Sequence, residues 1–204
     1  GHEDEEEDEE EHGEEEELIR IDLEQTRYDL KSELYHPAGW IEALRLHLVR
    51  NDYEHVELEG DEVGTRFTSD SWNFRGELVH HEVGRFHGAF GLDYGNRDFS
   101  AIGEEAFIPE SNTQNFALFA LEDIHLDAWT FELGLRAEYQ EVDPDDSSLP
   151  TRTHRPWSAS ASALWDVNET NTLSMGLSRA QRAPQVEELY SNVTNIESGD
   201  FVEH

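Results

Sequence analysis

Trp129-Thr130-Phe131-Glu132-Leu133-Gly134-Leu135-Arg136-Ala137-Glu138-Tyr139-Gln140 is the stretch that decides the fold. Its odd positions, Trp129, Phe131, Leu133, Leu135, Ala137 and Tyr139, are all apolar or aromatic, and its even positions are polar, charged or glycine. A strict period of two belongs to a β-strand, whose successive side chains point to opposite faces. Ten steps at about 3.3 Å, tilted by about 40°, project to roughly 25 Å, the height of the lipid-facing band on a membrane barrel. The apolar face also begins and ends on an aromatic. Trp129 and Tyr139 therefore stand where the two aromatic girdles of such a band are expected, with polar tips toward the headgroups.

The same pattern recurs along the chain. Trp157, Ala159, Ala161, Ala163, Trp165 and Val167 alternate with Ser158, Ser160, Ser162, Leu164 and Asp166, and Trp157 and Trp165 again bracket the apolar row. Thr172–Ala180 and Arg85–Gly95 read as further strands, and Trp40–Arg50, Ser71–His80 and Asn112–Glu122 as less regular ones. Leu18–Leu34 changes phase near Gln25, which predicts either a bulge or a first half standing above the membrane. The expectation is an all-β, antiparallel up-and-down meander of about eight strands, part of an outer-membrane β-barrel.

The connections alternate in length. His36–Gly39, His81–Gly84, Asp123–Asp127 and Asp166–Thr170 are short. Asn51–Asp70, Asn96–Ser111, Glu141–Arg155 and the stretch after Arg182 are long and polar, and read as loops. Short turns on one rim and long loops on the other are the arrangement of outer-membrane barrels, with the short turns periplasmic and the long loops extracellular.

Composition narrows the function. The 204 residues carry a formal charge of −34, which makes nucleic acid an improbable partner. The 10% aromatic content excludes a disordered acidic chain. Without cysteine there is neither a disulfide framework nor a thiolate metal site. No apolar run approaches the ~18 residues of a spanning helix, a result that leaves barrels open. No nucleophile with a partnered base, phosphate cradle or metal-hydrolase spacing is present, so the chain does not read as an enzyme.

Residues 1–17 form a block of their own, with 13 Asp or Glu together with His2 and His12. Its self-repulsion makes it a loop or tail, and on the strand assignment it is extracellular. Residues 18–192 hold the strands, and 193–204 are a loop or truncated end. Imidazole and carboxylate together suit a divalent cation, histidine tilting the choice toward zinc. His2 and His12 are accordingly candidate ligands, as are His55, Glu57 and Asp61 on a second acidic stretch, His154 on another loop of that rim, and Glu104 and Glu105. The plain alternative is a solvated acidic surface. His80, His81 and His87 read as residues of a periplasmic turn, and His36, His47 and His125 as turn or lumen residues. Arg75, Glu77, Glu132, Arg136 and Glu138 read as ion pairs between neighbouring strands inside the barrel.

Three groups of residues carry a family resemblance. Phe107-Ile108-Pro109 with Phe116–Phe119 and Glu132–Glu138, the run Gly176-Leu177-Ser178-Arg179-Ala180-Gln181-Arg182-Ala183-Pro184, and Glu187-Glu188-Leu189-Tyr190-Ser191-Asn192 together resemble TonB-dependent receptors. The acidic, histidine-bearing loops are similar to the zinc-uptake branch of that family. The resemblance implies capture of a scarce ligand, here a divalent metal ion such as zinc or a metal complex. It also implies outer-membrane lipid around the barrel and coupling to the TonB complex through a plug, with no certain cofactor and zinc as the one candidate. The family has 22 strands and a plug, so a barrel fragment without the plug is expected. After Asn192 the chain runs Val193-Thr194-Asn195-Ile196-Glu197, where the family has a glycine and a His-Ala-Thr-like run. Two other readings fit part of the sequence: a stand-alone eight-strand barrel with a structural or adhesive role, and a soluble acidic β-domain that binds cations.

Overall fold

The computed structural model describes residues 19–60, 62–103, 106 and 108–190. Alternating residues fold into β1 (Ile19–Ala38), β2 (Ile41–Glu59), β3 (Glu62–Val83), β4 (Phe86–Gly103), β5 (Ser111–Leu126), β6 (Trp129–Pro144), β7 (Arg152–His154), β8 (Trp157–Asn168) and β9 (Asn171–Arg179), followed by the one-turn helix α1 (Val186–Tyr190). Eight long strands lie side by side in chain order, each antiparallel to the next, and the three-residue β7 pairs with β6 off that path. The expected meander is present. The path runs from β1 to β9 without returning, so both edges are open among the described residues.

All four short connections are tight, with only two residues between the paired strands: Gly39 and Trp40, Gly84 and Arg85, Asp127 and Ala128, Glu169 and Thr170. Gly84 (φ 68°) and Asp127 (φ 50°) supply the left-handed backbone that two-residue hairpins require. At the opposite rim two of the long polar stretches, 51–70 and 96–111, are strand for most of their length. β2 continues to Glu59 and β3 resumes at Glu62, so 51–70 is the far end of one long hairpin, and β4 likewise runs on to Gly103. The sequence reading took loss of apolar alternation as the end of a strand. Above the membrane band, however, backbone pairing persists without any apolar face to mark it. The phase change near Gln25 has the same origin, because β1 and β2 stay in unbroken register from Ile19 to Tyr35 and no bulge occurs there.

Register sorts the side chains into two faces. Trp129, Phe131, Leu133, Leu135 and Ala137 of β6 align with Leu126, Ile124, Glu122, Ala120 and Leu118 of β5, and on the other side with Trp165, Ala163, Ala161, Ala159 and Trp157 of β8. The row extends through Phe90 and Tyr94 to Leu78 and Phe74, then to Leu44 and Leu48, and finally to Leu34 and Leu30. This face is exposed along its whole width, as Leu30 at 65%, Leu118 at 54%, Leu135 at 58% and Leu177 at 81% show. So large a contiguous apolar surface has no place in water and requires lipid or another protein against it. A soluble acidic domain would cover it with a second sheet, and the described residues contain none. The opposite face holds the small buried residues Ala43, Val79, Ala89 and Ala117 beside the charged side chains.

At the long-loop rim a compact apolar cluster joins segments distant in sequence. Ile108, Val142, Val186 and Tyr190 are buried together, with Phe99, Leu149 and Leu189 packed around them. The Tyr190 hydroxyl donates to the Pro150 carbonyl at 2.9 Å, and the Gln140 amide donates to the Pro184 carbonyl at 2.9 Å. The stretch after Arg182, read from sequence as a polar loop, is therefore anchored as far as Tyr190. Residues 193–204 lie outside the described residues.

Candidate functional site

Of the candidate ligands, the structure brings one pair together. His55 and Glu57 lie two residues apart on the same face of β2, with Nε2 of His55 3.8 Å from Oε1 of Glu57. The imidazole is held by a stack on Phe67, with ring centroids 4.4 Å apart, and by the edge of Tyr53 at 5.5 Å. Its Nδ1 is buried without a hydrogen-bond partner, so Nε2 is the nitrogen aimed at the carboxylate. An ion at about 2.0–2.2 Å from each of two donors spans separations up to about 4 Å, and this pair falls inside that limit. His154 sits on β7 opposite Gln140, its Nδ1 likewise buried and unpartnered. Among the described residues no three His, Asp or Glu side chains converge on one point. His2, His12, Asp61, Glu104 and Glu105 lie outside the described residues.

The polar face carries a continuous chain of charges across five strands. Arg45 bonds Glu33 and Glu77, each at 2.8 Å; Arg75 reaches Glu77 at 3.5 Å and Asp93 at 3.2 Å; Arg136 binds Asp93 and Glu138. Asp29 and His47 form a neighbouring pair at 2.9 Å. Arg75 and Glu77 each pair with a neighbouring strand as expected, Arg136 reaches past β5 to Asp93 on β4, and Glu138 pairs with Arg136 within β6. Glu132 instead accepts a hydrogen bond from Ser162 at 2.6 Å.

Aromatic rings gather at both ends of the apolar face. Trp129 and Trp165 stack with centroids 5.3 Å apart and planes within 2°, next to Phe131. At the other end Tyr139 donates its hydroxyl to Glu141 at 2.7 Å and lies under Arg155, while Arg179 covers Trp157 at 4.4 Å. Sequence reasoning missed a polar pair on the apolar face. His80 and Glu122 meet at 3.1 Å across Gly88, and nearby His87 meets Glu42 at 3.1 Å.

The electrostatics of the terminal segment are set by one pair. Both Arg182 guanidinium nitrogens engage Glu188, and the Gln185 amide also donates to that carboxylate at 2.9 Å. The Arg182 bonds, then the Gln185 bond, bring the Glu188 carboxyl down to about 2. Burial raises the Tyr190 phenol above its usual value.

An open meander with an exposed apolar face, aromatic rows at both ends and a charged opposite face defines a wall segment of a membrane β-barrel. The family described as "TonB dependent receptor-like, beta-barrel" matches residues 12–201, and the chain belongs to it. Its location is accordingly the bacterial outer membrane. Among solved structures, the copper transporter OprC is similar over 83% of this chain and 31% of its own, with 15% identity and a TM-score of 0.70. The FrpB iron transporter from Neisseria meningitidis (F5-1 variant) is similar over 82% and 29%, with 15% identity and a TM-score of 0.67. The chain spans less than a third of either structure. At such identity the likeness is one of fold.

Proposed function

We propose that this chain is part of the wall of an outer-membrane receptor that takes up a scarce metal ion or metal complex, with zinc as the first candidate. In this reading the short turns face the periplasm and the long hairpins face outward, where the acidic block 1–17 concentrates cations near the mouth. The single observation that carries the metal reading is the His55–Glu57 pair at 3.8 Å on the outward part of β2. The names of the iron and copper transporters that share the fold support metal cargo as a class. Trp129 with Trp165, and Tyr139 with Trp157, form the two girdles in contact with lipid headgroups, and energy reaches the receptor from the TonB complex through a plug.

The test is calorimetric titration of the detergent-folded chain with zinc, using calcium as competitor, beside His55→Ala and a variant lacking residues 1–17. Zinc binding at micromolar concentration or tighter, undisturbed by calcium and weakened in both variants, is expected. Weak binding shared equally by the two cations would reduce these residues to a solvated acidic surface and leave the cargo open.

A further inference from the structure

The short-turn rim holds a pair of histidines that the capture reading does not use. His36 belongs to β1 and His81 to β3, strands separated by β2, yet Nδ1 of His36 lies 3.3 Å from Nε2 of His81. Their rings are parallel within 6°, with centroids 5.1 Å apart. They meet because β2 begins only at Ile41, leaving the space past its turn free, where the His81 amide donates to the Trp40 carbonyl at 3.1 Å.

Both histidines sit at irregularities that re-aim them. The β1–β2 register shifts between Tyr35 and Ala38, around His36, and the β3–β4 register shifts between His80 and Val83, around His81. Bulges of this kind redirect single side chains and are common beside functional sites. His36 also takes a left-handed backbone, φ 50°, which residues other than glycine adopt only at a cost. A left-handed first residue is an ordinary companion of a bulge, so this backbone belongs to the irregularity that carries the His36 ring.

We propose that His36 and His81 form a two-imidazole site for a divalent transition-metal ion, zinc, copper or nickel, on the rim opposite the acidic hairpins. Two nitrogens at about 2.0–2.1 Å from a tetrahedral zinc stand about 3.3 Å apart, which is the separation observed. In the structure the facing nitrogens meet in hydrogen-bond geometry, so binding requires the exposed His36 ring to turn until its lone pair points at an ion shared with His81. Imidazole selects these borderline cations over calcium or magnesium. No third carboxylate or imidazole converges there among the described residues, so water completes the shell and the ion stays exchangeable. The site rests on the geometry of this rim and stands whether or not His55 and Glu57 capture cargo.

Residue-resolved footprinting tests it in the full detergent-folded chain, because signals from His2, His12 and His55 are then read separately. Diethyl pyrocarbonate labelling of each histidine would be followed by mass spectrometry with and without about 10 µM zinc, and with calcium as control. His36 and His81 are expected to be protected together, about tenfold, by zinc and not by calcium. His36→Asn, which keeps a residue type tolerant of left-handed backbone, should abolish protection of His81, and His81→Asn should abolish protection of His36. Protection of neither residue, or protection of one that survives loss of the other, would overturn the proposal.

Discussion

The Phe119 ring lies on the bare backbone of Gly91, so closely that a Cβ built on that glycine would stand 2.0 Å from the ring. Arg75 covers the same ring, its guanidinium 4.1 Å from the centroid. An aromatic on the charged face thus fills the gap left by a glycine on the neighbouring strand and gives the arginine ladder an apolar floor. Gly91→Ala should cost about 1–3 kcal/mol by overpacking, read as a lower urea midpoint for refolding into detergent. Adding Phe119→Leu should recover most of the loss. A single Gly91→Ala as stable as the parent would mean the ring swings away freely and the packing is not tight.

Asp93 is the node of the charge chain, shared by Arg75 and Arg136. Asp93→Ala leaves two guanidinium groups facing each other across the vacated position. Because the carboxylate is largely shielded, with 24% of its side chain exposed, the expected loss is about 1–2 kcal/mol rather than the near-zero value of a surface pair. Asp93→Asn, which keeps an acceptor, should lose less. Equal stability of all three proteins in equilibrium unfolding would show that the ladder is ornamental to folding.

The architecture was legible in the sequence wherever one face had to meet lipid. Trp129 to Tyr139 and Trp157 to Val167 announce both strand and face, since burial in a bilayer forces strict alternation. Beyond the bilayer nothing forces it, and Asn51–Glu59 and Glu62–Asp70 therefore read as loop although they pair. Contacts set by the meander were equally hidden: Ile108 meets Val186 and Tyr190 only because β5 through β9 lie between them and return the chain to one rim. Glu122 reaches His80 only because Gly88, between them in register, lacks a side chain. For the metal candidates, composition put His55 and Glu57 in one acidic stretch, but only the extension of β2 to Glu59 sets both on one strand face, and the bulges that unite His36 and His81 leave no mark in the residue pattern.

Gly88 makes the outward polar pair possible, and the pair should behave as a unit. Leaving one member alone on a lipid-facing surface is costly, while replacing both by apolar residues is often neutral or stabilising. Glu122→Leu and His80→Leu should therefore each destabilise, and the double variant should be at least as stable as the parent. Additive losses in the double-mutant cycle would argue that the two side chains do not depend on one another. Gly88→Ala should be worse than any of these, since its Cβ would lie 2.2 Å from the Leu121 carbonyl oxygen, which cannot move aside.

The docking of α1 gives a pH dependence whose sign follows from Glu188. Its carboxyl lies at about 2 in the folded protein against an ordinary value of 4.5, so the bonds to Arg182 and Gln185 favour the docked segment when the group is ionised. That contribution is fully present above pH 4.5, declines as pH falls toward 2, and is lost below it. Hydrogen exchange of the Leu189 and Tyr190 amides should accordingly stay slow at pH 5, after correction for the intrinsic exchange rate, and quicken relative to that rate as pH approaches 2. Arg182→Ala removes the first cause of the shift, so the loosening should move up toward pH 4.5. Identical exchange profiles for parent and variant would mean that Ile108, Val142, Val186 and Tyr190 hold the segment unaided, and that the ion pair only follows a position the apolar cluster has already set.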